Sequence, residues 1–246
     1  MSGKDLIDSL SYVGYAFEAA LLVYIVVRGY GKRLWQIVFY LVVSLGVSAA
    51  RSYSLHCYGF PSAQYSYCYW TTDLLLVMAA FVVVAVFFRR ACASNQRMWY
   101  HVRLLLASVF VLILAVSLFS LTHHKGQLFT AFIVEFQQDL YFATLVLNTL
   151  LYLMVVKMET SDDQLGMLVC GLGIEFAGPA ACLALFYMTG GSQTARSLCS
   201  ILLPLCDMGM TTTWFYAAVR VPSAAKVPQS RIQPSHAFAE ENVYNS

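Results

Sequence analysis

The stretch "LLLVMAAFVVVAVFF", residues 74–88, contains no polar side chain and no alternation of polar with apolar positions. A membrane-barrel strand would alternate over about ten residues, whereas a helix surrounded by lipid can be apolar on every face. The run ends at Arg89-Arg90 and is preceded by Asp73. It therefore reads as the greater part of one membrane-spanning helix with a cationic end.

Working outward, comparable stretches fall at about residues 7–27, 35–55, 102–121, 129–156, 165–188 and 197–219, with this helix spanning about 69–88. A bilayer core about 30 Å thick needs roughly 20 apolar residues per helix. Composition agrees: of 246 residues, 59% are hydrophobic and only 11% charged, against about 25% charged in soluble domains. The expected fold is all-α, a polytopic membrane protein with seven transmembrane helices over residues 1–220, followed by a tail. That tail, residues 221–246, is polar and broken by Pro222, Pro228 and Pro234. It cannot bury a core and is expected to be a disordered cytoplasmic segment.

Orientation follows from the cations, because short loops rich in Lys and Arg stay on the cytoplasmic side. With the N-terminus outside, Arg28, Lys32, Arg33, Arg89, Arg90, Arg97, Arg103, Lys157, Arg220, Lys226 and Arg231 lie inside, and Lys4, Arg51, Lys125 and Arg196 outside. An N-out, C-in protein of the plasma (inner) membrane is expected. The first apolar stretch lacks a basic leader and a small-residue cleavage site, so it is expected to remain as a helix. Trp35, Trp99 and Trp214 are placed at the inner boundary and Trp70 at the outer one, as interfacial aromatic belts require. The small net charge of +2 carries no sign of nucleic-acid binding.

The segment "RSYSLHCYGFPSAQYSYCYW", 51–70, reads as the longest outer connection. Cys57 and Cys68 within it are disulfide candidates on an oxidising face. A bond there would order the segment as a lid over the bundle mouth.

The informative residues are acids. Counted at about 1.5 Å per residue, Glu18, Asp139, Glu175 and Asp207 fall near mid-membrane, while Asp73 and Glu135 lie nearer the outside. A charge at mid-depth costs about 2.5–3.5 kcal/mol on insertion scales, and no Lys or Arg lies in the middle of any span. These carboxyls must be neutral, hydrogen-bonded, or opposite a bound cation.

Helical spacing groups them, since positions three, four and seven apart share a face. Ser200, Asp207, Thr211 and Trp214 form one stripe, with Pro204 beside it. Gly171, Glu175, Gly178 and Cys182 form another, whose small residues let a second helix approach. Pro179 cannot donate to the carbonyl of Glu175, so a kink or unwinding is expected there. Glu135, Gln138 and Asp139 cluster on one side of the fifth helix, and Gln137 and Asn148 share another. Acids of helices one, five, six and seven are expected to converge on an interior site.

Several function classes are excluded. A retinal photoreceptor needs a lysine in the last helix, and none occurs between Lys157 and Lys226. Nucleotide-binding loops, nucleophile motifs and output domains are absent from the sequence, and the five histidines are scattered. A non-enzyme with no cofactor and no metal is expected.

Two readings follow. The first is a small permease-like transporter that binds protons, a cation or a cationic small molecule at Glu18, Asp73, Glu135, Asp139, Glu175, Asp207 and Thr211. The second is a membrane sensor or assembly subunit with an outer-loop binding surface and a relaying tail. Expected partners are the lipid bilayer, a proton, cation or cationic small molecule, and a protein or further copy of the chain at the C-terminal tail. Nucleic acid is not among them.

Overall fold

The computed structural model describes residues 3–59, 62–93, 95–121, 128–157, 162–190 and 192–220. Every element in them is helical: α1 (Gly3–Val27), a short 3-10 turn (Tyr30–Lys32), α2 (Trp35–Tyr58), α3 (Ala63–Ala91), α4 (Gln96–Leu121), α5 (Leu128–Lys157), α6 (Asp163–Thr189) and α7 (Gln193–Val219). All seven α-helices are long and apolar enough to cross a membrane. The segment 221–246, expected as a disordered tail, lies outside the described residues.

Local chemistry marks the helix ends. Ser62, Asp162 and Ser192 precede α3, α6 and α7, and their side-chain oxygens accept the backbone N–H of Tyr65, Leu165 and Ala195. Each satisfies a donor that the first helical turn leaves open. Gly190 ends α6 at φ 59°, a left-handed conformation that glycine adopts without steric penalty.

One boundary departs from the sequence expectation. The presumed loop 51–70 is mostly helix: α2 runs to Tyr58 and α3 begins at Ala63, leaving only residues 59–62 between them. Tyr53, Tyr58 and Tyr67 sit on exposed helical turns there, while Ser54 is buried against α3, and their polarity marks the bundle end rather than a break. No lid forms from this segment.

The helices α1, α2, α3, α5, α6 and α7 form a closed ring, and α3 also touches α6 across it. Helix α4 packs only on α3 and α5, outside the ring. Just 11% of its apolar window is buried, so α4 is a peripheral buttress that adds a few side chains, Leu106 and Ile113 among them, to the buried core. Neighbours α6 and α7 run antiparallel, pairing Gln164 with Ala217, Leu168 with Trp214 and Cys182 with Cys199 along their length.

The two ends of the ring differ. Toward the end marked by Arg90, side chains such as Leu21, Ile25, Phe87, Leu165, Leu168 and Trp214 are fully buried. Trp214 therefore does not belong to an interfacial belt; its indole N–H donates to the Leu168 carbonyl at 2.9 Å, and its ring meets Tyr40 edge-on at 5.5 Å between centroids. Gly171 makes this possible, since a Cβ there would lie 2.7 Å from the indole. The opposite end, marked by Arg51, holds two cavities that share a wall, whereas the Arg90 end carries a separate pocket of about 450 Å³ between α5 and α6, with Asp162 in its wall.

Candidate functional site

Two cavities occupy the Arg51 half. The smaller, about 350 Å³, lies among α1, α2, α6 and α7, where Glu18, Ser44, Ser48, Glu175, Ser200 and Asp207 contribute polar atoms to its wall. The larger, about 620 Å³, lies toward α3 and α5 and is walled mainly by rings: Tyr40, Tyr69, Trp70, Tyr141, Phe176 and Phe186. Leu76, Glu175, Pro179 and Leu203 belong to both walls. Glu175 thus stands at the junction.

The carboxyl of Glu18 is 1% exposed and accepts the Ser44 hydroxyl at 3.0 and 3.2 Å. It also hydrogen-bonds the carboxyl of Asp207. Asp207 reaches α1 because Gly14 faces it; a Cβ at Gly14 would stand 3.1 Å from Oδ2 of Asp207.

Glu175 has a different environment. Its Oε2 is shut off from solvent and has no hydrogen-bond partner in the structure. An unsatisfied buried acceptor costs about 1–3 kcal/mol, more if charged. Close helix packing puts it there: Gly178, one turn on, meets Cys206 of α7 so tightly that a Cβ would lie 2.9 Å from its Sγ.

Pro179 leaves α6 continuous from Asp163 to Thr189, so no unwinding occurs. Tyr141 of α5 compensates the disturbed turn: its hydroxyl donates to the Phe176 carbonyl and is bonded by the Ala180 amide. A neighbouring side chain thereby supports the backbone where the proline interrupts the helical ladder.

At the mouth, Arg51 donates to Asp73 at 2.6 Å and to the Thr72 hydroxyl at 3.0 Å, while its guanidinium lies 4.3 Å from the centre of the Tyr69 ring. The Gln137 amide also donates to Asp73. Arg51 lines the smaller cavity and Asp73 the larger, so their ion pair stands between the two openings.

Of the acids singled out in sequence, the structure brings Glu18, Glu175 and Asp207 together and puts Asp73 at the rim. Glu135 and Asp139 line neither cavity; they neighbour each other on another side of α5. Gln137, Gln138 and Tyr141 face the larger cavity instead, because the α3 and α6 contacts fix the rotation of α5. Thr211 is also outside the cavities: it is 1% exposed and its hydroxyl donates to the Asp207 carbonyl of its own helix at 2.9 Å.

Cys57 and Cys68 are separate thiols. Helical register explains this, since Ser54 stands opposite Cys68 and donates to its sulfur at 3.1 Å. Cys57 lies nearly a turn further along α2. Among the described residues, no group of three or more His, Cys, Asp or Glu side chains comes close enough to hold a metal ion.

Sequence reasoning missed Tyr40 and Tyr141. Tyr40 is 2% exposed and close enough to Glu18, Glu175 and Asp207 to feel their charge. Nothing in the sequence pointed to Tyr141: the carbonyl that Pro179 leaves without a donor is that of Glu175, whereas Tyr141 donates to that of Phe176.

Comparison with protein-family models, with curated proteins and with solved structures finds no match to this chain.

Proposed function

We propose that this chain is an N-out, C-in multi-pass membrane protein of the permease-like kind, binding protons, a cation or a cationic small molecule at intramembrane carboxylates. The observation that carries the reading is the meeting of Glu18, Glu175 and Asp207 at the cavities of one half of the bundle. The single cation lining those cavities among the described residues, Arg51, is already engaged by Asp73.

Three carboxyls so placed favour a positive guest. Any group that supplies a proton or a positive charge relieves the desolvation of the acids, whereas an anion would worsen it. The carboxyl-lined cavities of the Arg51 half, set against the buried layer around Trp214, support transport over simple binding as one state of an alternating-access cycle. With the cationic loops inside, the cavities belong to the outer half. The sensor reading rests on the N-out topology and the tail, without the disulfide-ordered lid, since Cys57 and Cys68 are separate thiols.

Proteoliposomes test the proposal. The parent protein, reconstituted with an internal pH dye and given a sodium or methylammonium gradient, is expected to carry cation or proton across the membrane. The Glu18→Gln, Asp207→Asn double variant, shown to be monodisperse, is expected to fall to the level of empty vesicles. Equal fluxes from parent and variant would remove these acids from any transport role.

A further inference from the structure

The two cavities differ in chemistry and meet at one carboxyl, and that juxtaposition defines a ligand more narrowly than charge alone. Resting on the cation-binding reading above, we infer that the guest is a primary amine with a ring-sized apolar body. Its ammonium group is held at Glu175 and its body lies among the aromatic side chains of the larger cavity.

The acids differ in what each has left to offer a guest. Asp73 is taken by Arg51 and Gln137. Glu18 and Asp207 bond each other, with Ser44 adding a further donor to Glu18. Glu175 alone among the cavity acids has a buried oxygen without a donor, and an ammonium N–H supplies one as a charge-assisted bond. The smaller cavity beyond it presents acceptors from Glu18, Asp207, Ser44 and Ser48. A primary ammonium brings three donors to such a wall; a quaternary ammonium brings none.

The larger cavity explains the body. At about 620 Å³ it falls within the usual range of small-molecule sites, about 300–1,000 Å³, and exceeds what a bare ion or methylammonium fills. Its rings, Tyr69, Trp70, Tyr141, Phe176 and Phe186, offer apolar and edge-to-face contact, and Gln137 and Gln138 are its amide groups. Tyr40, adjoining the acids, is a further aromatic residue of this wall. A multidentate metal is the poorer guest, because no close group of three ligating side chains exists among the described residues.

The test measures binding to full-length protein in lipid nanodiscs by calorimetry and thermal shift. The probes are 2-phenylethylamine, its N,N,N-trimethyl counterpart, 2-phenylethanol, methylammonium and sodium. Phenylethylamine is expected to bind most tightly and to raise Tm. Glu175→Gln is expected to weaken it about tenfold or more, and Asp139→Asn, outside both cavities, to leave it unchanged. Trp70→Ala is expected to weaken phenylethylamine and not methylammonium, a readout that survives if Glu175→Gln fails to fold. Methylammonium or sodium binding as tightly as phenylethylamine would overturn this inference and leave the cation reading standing. Phenylethylamine binding that is indifferent to both Glu175→Gln and Trp70→Ala would overturn it too. No binding by any of the cations would sink both.

Discussion

The half of the bundle near Arg51 and the half near Arg90 are built from the same helices, yet the first opens into carboxyl-lined cavities, while the second is packed around Trp214 and has its pocket to one side, between α5 and α6. Helix α7 shows the change along a single stripe. Ser200, Pro204 and Asp207 line the smaller cavity, whereas one and two turns further Thr211 and Trp214 are buried against their own helix and α6. Each half also has an Arg–Asp pair. Arg51 ties α2 to α3 beside the cavity mouths, and Arg90 ties α3 to Asp162 and Gln164 across the ring. The contrast teaches that the carboxyls sit at a boundary, where packing stops, and not in the middle of a uniform polar seam.

The largest expected effect tests the packed half. Trp214→Ala removes a fully buried indole and its bond to Leu168, and is expected to cost about 3–5 kcal/mol of stability. Phe186→Ala, at a cavity wall where the ring is 36% exposed, is expected to cost below about 1 kcal/mol. Gly171→Ala should fall between them at about 1–3 kcal/mol, through overpacking against the indole. Thermal and denaturant unfolding in lipid bicelles measures all three. Equal losses for Trp214→Ala and Phe186→Ala would erase the distinction between the halves.

Next comes the tie across the packed end. Arg90 makes two bonds to Asp162, at 2.9 and 3.1 Å, and one to Gln164, which in turn donates to Ala217 of α7. If that end opens during a cycle, Arg90→Gln should ease the opening. A cysteine introduced at Leu168 is expected to react faster with a water-soluble thiol reagent in the Arg90→Gln background than in the parent. An unchanged rate would mean that apolar packing alone seals this half.

The corresponding change at the mouth, Arg51→Gln, is expected to be milder. The Arg51–Asp73 pair is 23% exposed on each side, so its loss should fall between exposed and buried pairs, about 1–2 kcal/mol. Gln137 remains to donate to Asp73. A loss larger than that of Arg90→Gln, measured by the same melts, would show the hollow half to depend more on its ion pair than the packed half does.

These expectations also show what could be read in the sequence. The seven helices were legible because an apolar run of the required length has few other uses, and Glu175 beside Pro179 stood out because both are expensive within such a run. The facing of α5 was not legible. Residues 132–157 are apolar on most sides, so the rotation that turns Gln137 and Tyr141 inward and Asp139 aside is set by α3 and α6, which a linear pattern does not describe. Trp214 was misplaced for a related reason: depth along the helix put it at an interface, and only Gly171 on a neighbouring helix shows that it has a seat in the core. The segment 51–70 was misread because tyrosine and serine signal an interface or a loop with equal force. There the helices simply continue.

The smallest effect, a labelling pattern, decides which way the hollow half faces. Cys57 is exposed at the Arg51 end, whereas Cys92, just beyond α3 at the other end, is 1% exposed and burial pushes its thiol up from the ordinary range. The thiolate is the reactive species, so Cys92 should stay unmodified at neutral pH on either side of the membrane. A membrane-impermeant maleimide applied to intact cells is expected to modify Cys57, with the site identified by peptide mass, and permeabilisation should add no label at Cys92. If Cys57 reacts only after permeabilisation, the cavities open inward. On the proposed transporter reading, uptake would then become export, although the proposed selection of a positively charged guest would be unchanged, because it depends on which acids lack a donor and not on the side from which the guest arrives.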